Sequence, residues 1–119
     1  MTQRSPKPAD VDFDLPGTMA RMLNDEDVFR SVLQLFLTDA AQRLQLLRSA
    51  VDVDDTPEIL RQAHTLKGAA GNMGAQAMAN TADDLWRHVH DDQRTAIRED
   101  LARMERDFAR YRVAVVPWL

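Results

Sequence analysis

The residues of this chain that carry chemistry gather in one run, Ala63-His64-Thr65-Leu66-Lys67-Gly68-Ala69-Ala70-Gly71-Asn72-Met73-Gly74. A free imidazole titrates at about 6.5, so a histidine keeps a lone pair at cellular pH. Lys67, one turn along at i+3, can place an ammonium beside a group attached to the His64 ring. Gly68 at i+4 clears space, Leu60 at i−4 supplies an apolar contact, and Arg61 at i−3 adds a second cation. No carboxylate lies at i±3 or i±4 of His64 to hold it as a general base. No sequence feature points to a serine–histidine–aspartate arrangement. The chemistry that fits is nucleophilic: the imidazole attacks a phosphoryl group, and Lys67 pairs with the oxygens of the phosphoimidazole. Metal and the remaining positioning then come from the protein that supplies or accepts that group.

The glycines call for an explanation of their own. In a helix interior each of Gly68 and Gly71 costs about 1 kcal/mol relative to alanine. Two of them remove roughly 2 kcal/mol from a stability that is marginal to begin with. Close packing against a neighbouring helix would account for this, and so would the close approach of another macromolecule. At 100° per residue with His64 as zero, Gly68 falls at about +40°, Gly71 at about −20° and Lys67 at about −60°. The apolar stripe of the same helix, Ile59, Ala63, Leu66, Ala70 and Met73, centres at about 200°. The glycines therefore share the outward face with His64 and Lys67, which favours an approaching macromolecule.

Those residues need a scaffold, and the rest of the chain reads as one. The 119 residues suffice for a single domain, and 6% aromatic content requires a core built mainly from Leu, Val, Ile, Met and Ala. Five Pro and four Gly argue against a turn-rich β-architecture. The absence of Cys removes disulfides, thiolate metal sites and cysteine nucleophiles. A net charge of −4 disfavours a general nucleic-acid binder. No apolar run approaches the roughly 20 residues of a membrane span, and the N-terminus lacks a signal-peptide core. A cytoplasmic protein without membrane contact is the expectation.

Residues 1–11 read as a disordered lead or linker and residues 12–119 as the domain. Thr18 to Leu23 allows one short helix. A long helix follows from about Asp25 to Val51, with Phe29, Val32, Leu33, Phe36, Leu37, Ala40, Leu44, Leu47 and Val51 on one stripe. Val28, Leu35 and Leu46 fall off that stripe, to be covered by the short N-terminal helix or left as a docking surface. Thr56 suits an N-cap and Pro57 the first helical position of a helix reaching about Met73, which Gly74 ends in the left-handed conformation. Further helices run from about Ala75 to Val89, with Trp86 flanking its stripe, and from about Asp92 to Arg112. The apolar tail to Leu119 either prolongs the last helix or lies across the bundle, with Trp118 a tail anchor or a partner contact. Four amphipathic helices on short connections bury their stripes only against one another. The expected fold is all-α: an antiparallel four-helix bundle with a short extra N-terminal helix, monomeric because one bundle accounts for the apolar stripes.

His88-Val89-His90, with acidic residues around it, is a weak metal candidate, because side chains at i and i+2 diverge on a helix. The charges of Arg94 to Arg112 read as a solvated face.

The run from Ala63 to Ala75 resembles the signature of histidine-containing phosphotransfer (HPt) domains of bacterial multistep phosphorelays. That pattern is His, any residue, Leu, Lys, Gly, small residues, then Gly-Ala about ten positions on, here Gly74-Ala75. The resemblance extends over about Leu15 to Arg112. It implies that His64 is phosphorylated, on Nε2, and passes the phosphoryl group between receiver-domain aspartates. It implies an electrostatic role for Lys67, close approach over Gly68, and docking at Leu60, Arg61, Gly71 and exposed apolar residues of the long helix. The partners would be response-regulator receiver domains, with a hybrid sensor histidine kinase as a further one. The domain would need no cofactor of its own, Mg²⁺ being bound by the receiver. Ala69 departs from the pattern where Ser is frequent. The competing expectations are the phosphoacceptor domain of a chemotaxis-type or hybrid kinase, and a docking module without chemistry.

Overall fold

The computed structural model describes Gly17, Thr18 and residues 25–119. The expected lead at 1–11 and, apart from Thr18, the short helix expected at Thr18 to Leu23 lie outside these residues. Thr18 itself is helical and buried.

Four helices follow: α1 Glu26–Asp52, α2 Thr56–Asn72, α3 Gln76–His90 and α4 Arg94–Val115. Each packs on the next, and α4 returns to α1, closing an all-α four-helix bundle. The connections span only 53–55, 73–75 and 91–93, so neighbouring helices run antiparallel. All three connections use the same helix stop. After each helix one residue enters the left-handed region: Asp54 (φ 54°), Gly74 (φ 70°) and Asp92 (φ 52°). The residue beyond it donates back to the last turn, Asp55 N to Ala50 O, Ala75 N to Ala70 O and Gln93 N to His88 O, each at 2.9 Å. These bonds satisfy carbonyls that the helix end would leave unpaired.

Aspartates cap the starts of α1 and α2. Asp25 accepts from Asp27 N at 3.0 Å and Val28 N at 3.1 Å. At α2 the cap is Asp55, which accepts from Glu58 N at 3.3 Å, and not Thr56. Thr56 is already the first helical residue, because the Asp55 carbonyl opens the ladder by accepting from Ile59 N. A carboxylate at the positive end of the helix dipole is also the better acceptor of the two.

The apolar stripes meet as expected, with Phe29, Leu33, Leu47, Ala63, Leu66, Met78, Leu85 and Met104 among the fully buried side chains. Val32, Leu37 and Val89 are only partly buried against this core. Phe36 of α1 meets Phe108 and Tyr111 of α4 edge-on, at 6.4 and 5.5 Å between ring centroids. The buried Tyr111 hydroxyl donates to Met73 O at 2.7 Å, pinning α4 to the end of α2, and burial pushes its phenol pKa up. The last helix runs beyond Arg112 to Val115, and Val116–Trp118 adds a 3₁₀ turn whose Trp118 packs against the core.

Val28, Leu35 and Leu46 are 46%, 71% and 49% exposed, which leaves the second of their two expected fates, an open surface. One expectation about α4 fails. The charges of α4 are not all solvated: Asp100 and Asp107 are buried at its contact with α3. There Asp107 accepts from Thr81 Oγ1 at 2.8 Å, while Asp100 meets His88 Nδ1 and Arg103. His90 instead packs at a tilt against Trp86, so the two histidines serve different faces of α3. Among the described residues no three His, Cys, Asp or Glu side chains converge as a metal site.

Candidate functional site

Helix α2 turns one face inward and leaves the other bare. Ile59, Ala63, Leu66 and Ala70 are buried, whereas His64, Lys67 and Gly68 are exposed. That division follows from the 3.6-residue period acting on a stripe at i, i+4, i+7 and i+11. The outward direction expected for the His64 ring is the direction observed.

The glycine question is settled by geometry. A Cβ built on Gly68 would find nothing within 4 Å, and one on half-buried Gly71 would find nothing either. No contact among the described residues therefore requires a missing side chain at either position. The lost helix propensity is not recovered inside the bundle.

Helix α3 supplies the rest of the surroundings. The Trp86 indole lies 6.0 Å from the His64 ring, centroid to centroid, and tilted against it, with His90 on the indole at 4.9 Å. Lys67 Nζ donates to Asp83 Oδ1 at 2.8 Å, bridging α2 to α3. The hydrogen bond and charge of Lys67 hold the Asp83 carboxyl below the usual aspartate range. Ala63, His64, Lys67, Ala82, Asp83 and Trp86 together line one small depression. Asp83 and Trp86 were not singled out as site residues by the run around His64. Their spacing carried a faint signal: Asp83, Trp86 and His90 sit at i, i+3 and i+7, one face of α3 away from its apolar stripe.

The residues expected to dock a partner divide. Leu60 is half-buried on the His64 face. Arg61 is exposed, but its guanidinium donates to Glu58 Oε1 at 2.8 Å on its own helix. Glu58 is tied onward to buried Gln62, and Gln62 to Arg43 of α1, whose other partner is Asp39. Arg61 thus ends a polar chain that staples α2 to α1. On the same flank an open apolar groove is lined by Val32, Leu35, Phe36, Asp39, Ala69, Asn72 and Met73. The most exposed of its apolar lining side chains is Leu35.

Chemically, the arrangement offers a solvent-facing imidazole, an ammonium one turn away on a flexible stem, and backbone that another surface can approach. Among the described residues no helix is long and apolar enough to cross a membrane.

A search among curated proteins finds no match. Among solved structures, histidine-containing phosphotransfer protein B from Pseudomonas aeruginosa PAO1 is similar, with a TM-score of 0.81 and 24% sequence identity over 90% of this chain and 94% of that one. At that identity the likeness shows a shared fold. The Hpt domain family model matches residues 31–114, which include α2 entire and most of the bundle. The chain belongs to the Hpt domain family.

Proposed function

We propose that this protein is a phosphoryl carrier of a cytoplasmic phosphorelay, acting as a monomer, with His64 as the phosphorylated residue. The observation that carries this reading is the bare face of α2. An exposed imidazole sits beside two helical glycines that internal packing does not require. A helix gives up stability in this way where something from outside must come close.

In the transfer step the Nε2 lone pair of His64 forms a bond to phosphorus. The phosphorus–oxygen bond to a receiver aspartate breaks, and the carboxylate leaves with the electron pair. The reverse step hands the group to a second receiver. Lys67 sits one turn from the ring and pairs with the phosphoryl oxygens. Trp86 packs beside the ring and limits the directions it can take. A magnesium ion held by the receiver would neutralise charge on the group in transit. The receiver docks over Gly68 and Gly71, with Leu60, the Arg61 stem and the groove around Leu35 as its apolar and polar contacts. An exposed Leu35 beside such a groove suits a transient interface with an apolar centre.

The test is incubation with a panel of phosphorylated receiver domains, followed by detection of acid-labile, base-stable phosphate on the chain. Wild type should take the label and His64→Gln should not. A wild type that none of the panel labels, or a His64→Gln protein that labels equally, overturns the assignment. A docking module without chemistry would bind receivers equally well in both forms and carry label in neither. The phosphoacceptor domain of a kinase would instead be labelled by an ATP-dependent kinase supplied in trans.

A further inference from the structure

This inference rests on the assignment of His64 as phosphoacceptor. We propose that Asp83 is a built-in competitor for Lys67, which weakens the phosphorylated form and keeps His64 ready to release its phosphoryl group. The starting point is the 2.8 Å ion pair from Lys67 Nζ to Asp83 Oδ1. It joins the helix that carries His64 to its neighbour, and Asp83 lines the same depression as the ring. The side chains are 52% and 45% exposed, so the pair contributes little to stability and exchanges partners easily. The next cation along α3, Arg87, pairs with Asp84 and reaches Asp83 only through its charge, so Lys67 is the cation in direct contact with the Asp83 carboxylate.

Charge counting gives the consequence. Before modification one ammonium faces one carboxylate. A phosphoryl group adds close to two negative charges, as on other phosphorylated side chains. Three negative charges then compete for the one ammonium in direct reach, so either Asp83 or the phosphoryl group loses its direct partner. Like charges confined to one small site raise the free energy of the state that contains both. A carrier benefits from this, since it must give up its group about as easily as it takes it. With a neutral residue at 83, Lys67 would serve the phosphoryl group alone and the repulsion would vanish.

Phosphoramidate, a small donor that needs no docking surface, isolates the effect. During loading the donor's P–N bond breaks, ammonia leaves with the electron pair, and the Nε2–P bond forms. In the loss step water oxygen bonds to phosphorus, the Nε2–P pair returns to the ring, and a water proton ends on Nε2. Wild type, Asp83→Asn, Asp83→Ala, Asp83→Glu and Asp83→Asn/Lys67→Ala are loaded, freed of donor, and followed by intact mass at neutral pH. Both neutral variants should hold the group about three- to tenfold longer than wild type. Asp83→Glu should stay near wild type because it restores the charge. The double variant should fall below Asp83→Asn, since the freed ammonium is missing. Circular dichroism of the five proteins should coincide.

Half-lives of the neutral variants within about twofold of wild type, or shorter, overturn the role of Asp83 while leaving His64 as phosphoacceptor. A neutral-like lifetime in Asp83→Glu overturns the charge argument in the same way. Absence of label at His64 in wild type, from phosphoramidate and receivers alike, removes both readings together.

Discussion

Gly68→Ala should make the domain more stable and a poorer partner at the same time. The first half follows from α2 itself. Gly68 is exposed in the helix interior, and an added Cβ meets nothing within 4 Å. The substitution therefore gains the intrinsic difference between glycine and alanine, about 1 kcal/mol, without a packing cost. For a domain of this size such a gain raises the thermal midpoint by about 4 °C, read from far-ultraviolet circular dichroism. The second half follows from the partner. A methyl group beside His64 holds an incoming receiver away from the ring, and Gly68→Gln holds it further. Displacements of about 1 Å cost on the order of 100-fold in transfer rate, so the glutamine variant should lose about that much and the alanine variant less. Labelling by phosphoramidate should be unaffected in Gly68→Ala, which separates exclusion of a protein from damage to the imidazole. A midpoint that falls in Gly68→Ala would show that the bundle itself demands the glycine. A raised midpoint with receiver transfer undiminished in both variants would show that nothing approaches this face.

Three further outcomes test the scaffold. Asp55→Ala should cost about 1 kcal/mol in urea unfolding, whereas Thr56→Ala should stay within about 0.5, because Asp55 caps α2. Thr81→Val should cost about 1–3 kcal/mol by stripping the buried Asp107 carboxylate of its 2.8 Å donor, and Thr81→Ser should recover most of it in the same assay. Tyr111→Phe should lose about 1 kcal/mol at neutral pH through the bond to Met73 O. The Tyr111 phenol titrates higher folded than unfolded, so its contribution is intact below about pH 10 and declines as pH rises above it. The stability gap between wild type and Tyr111→Phe should therefore narrow in alkaline buffers; a constant gap would contradict the buried phenol.

Much of this molecule can be read from local spacing. The 3.6-residue recurrence of apolar side chains places Phe29, Leu33, Leu66 and Met104 inside, and it turns His64, Lys67 and Gly68 out, because burial acts on whole faces of a helix. Gly74 announces the left-handed stop after α2, since glycine alone adopts it without strain. Asp54 and Asp92 make the same turn without that signal. At α2 two good cappers stand side by side, and the choice of Asp55 over Thr56 depends on which carbonyl opens the ladder.

What the periodicity could not reach is whatever depends on one helix's position against another. Gln62, Thr81, Asp100 and Asp107 are polar by type, yet buried, because partners on facing helices replace water. The ion pair of Lys67 with Asp83, and Trp86 beside His64, arise from the rotation and axial offset of α3 against α2. Leu35 stays exposed for a like reason: no described element lies over it. A single helix's sequence encodes which face turns inward, since that is a property of its own period. Which residues meet across the gap is decided only when the helices pack, because rotation and offset minimise the energy of all the faces together.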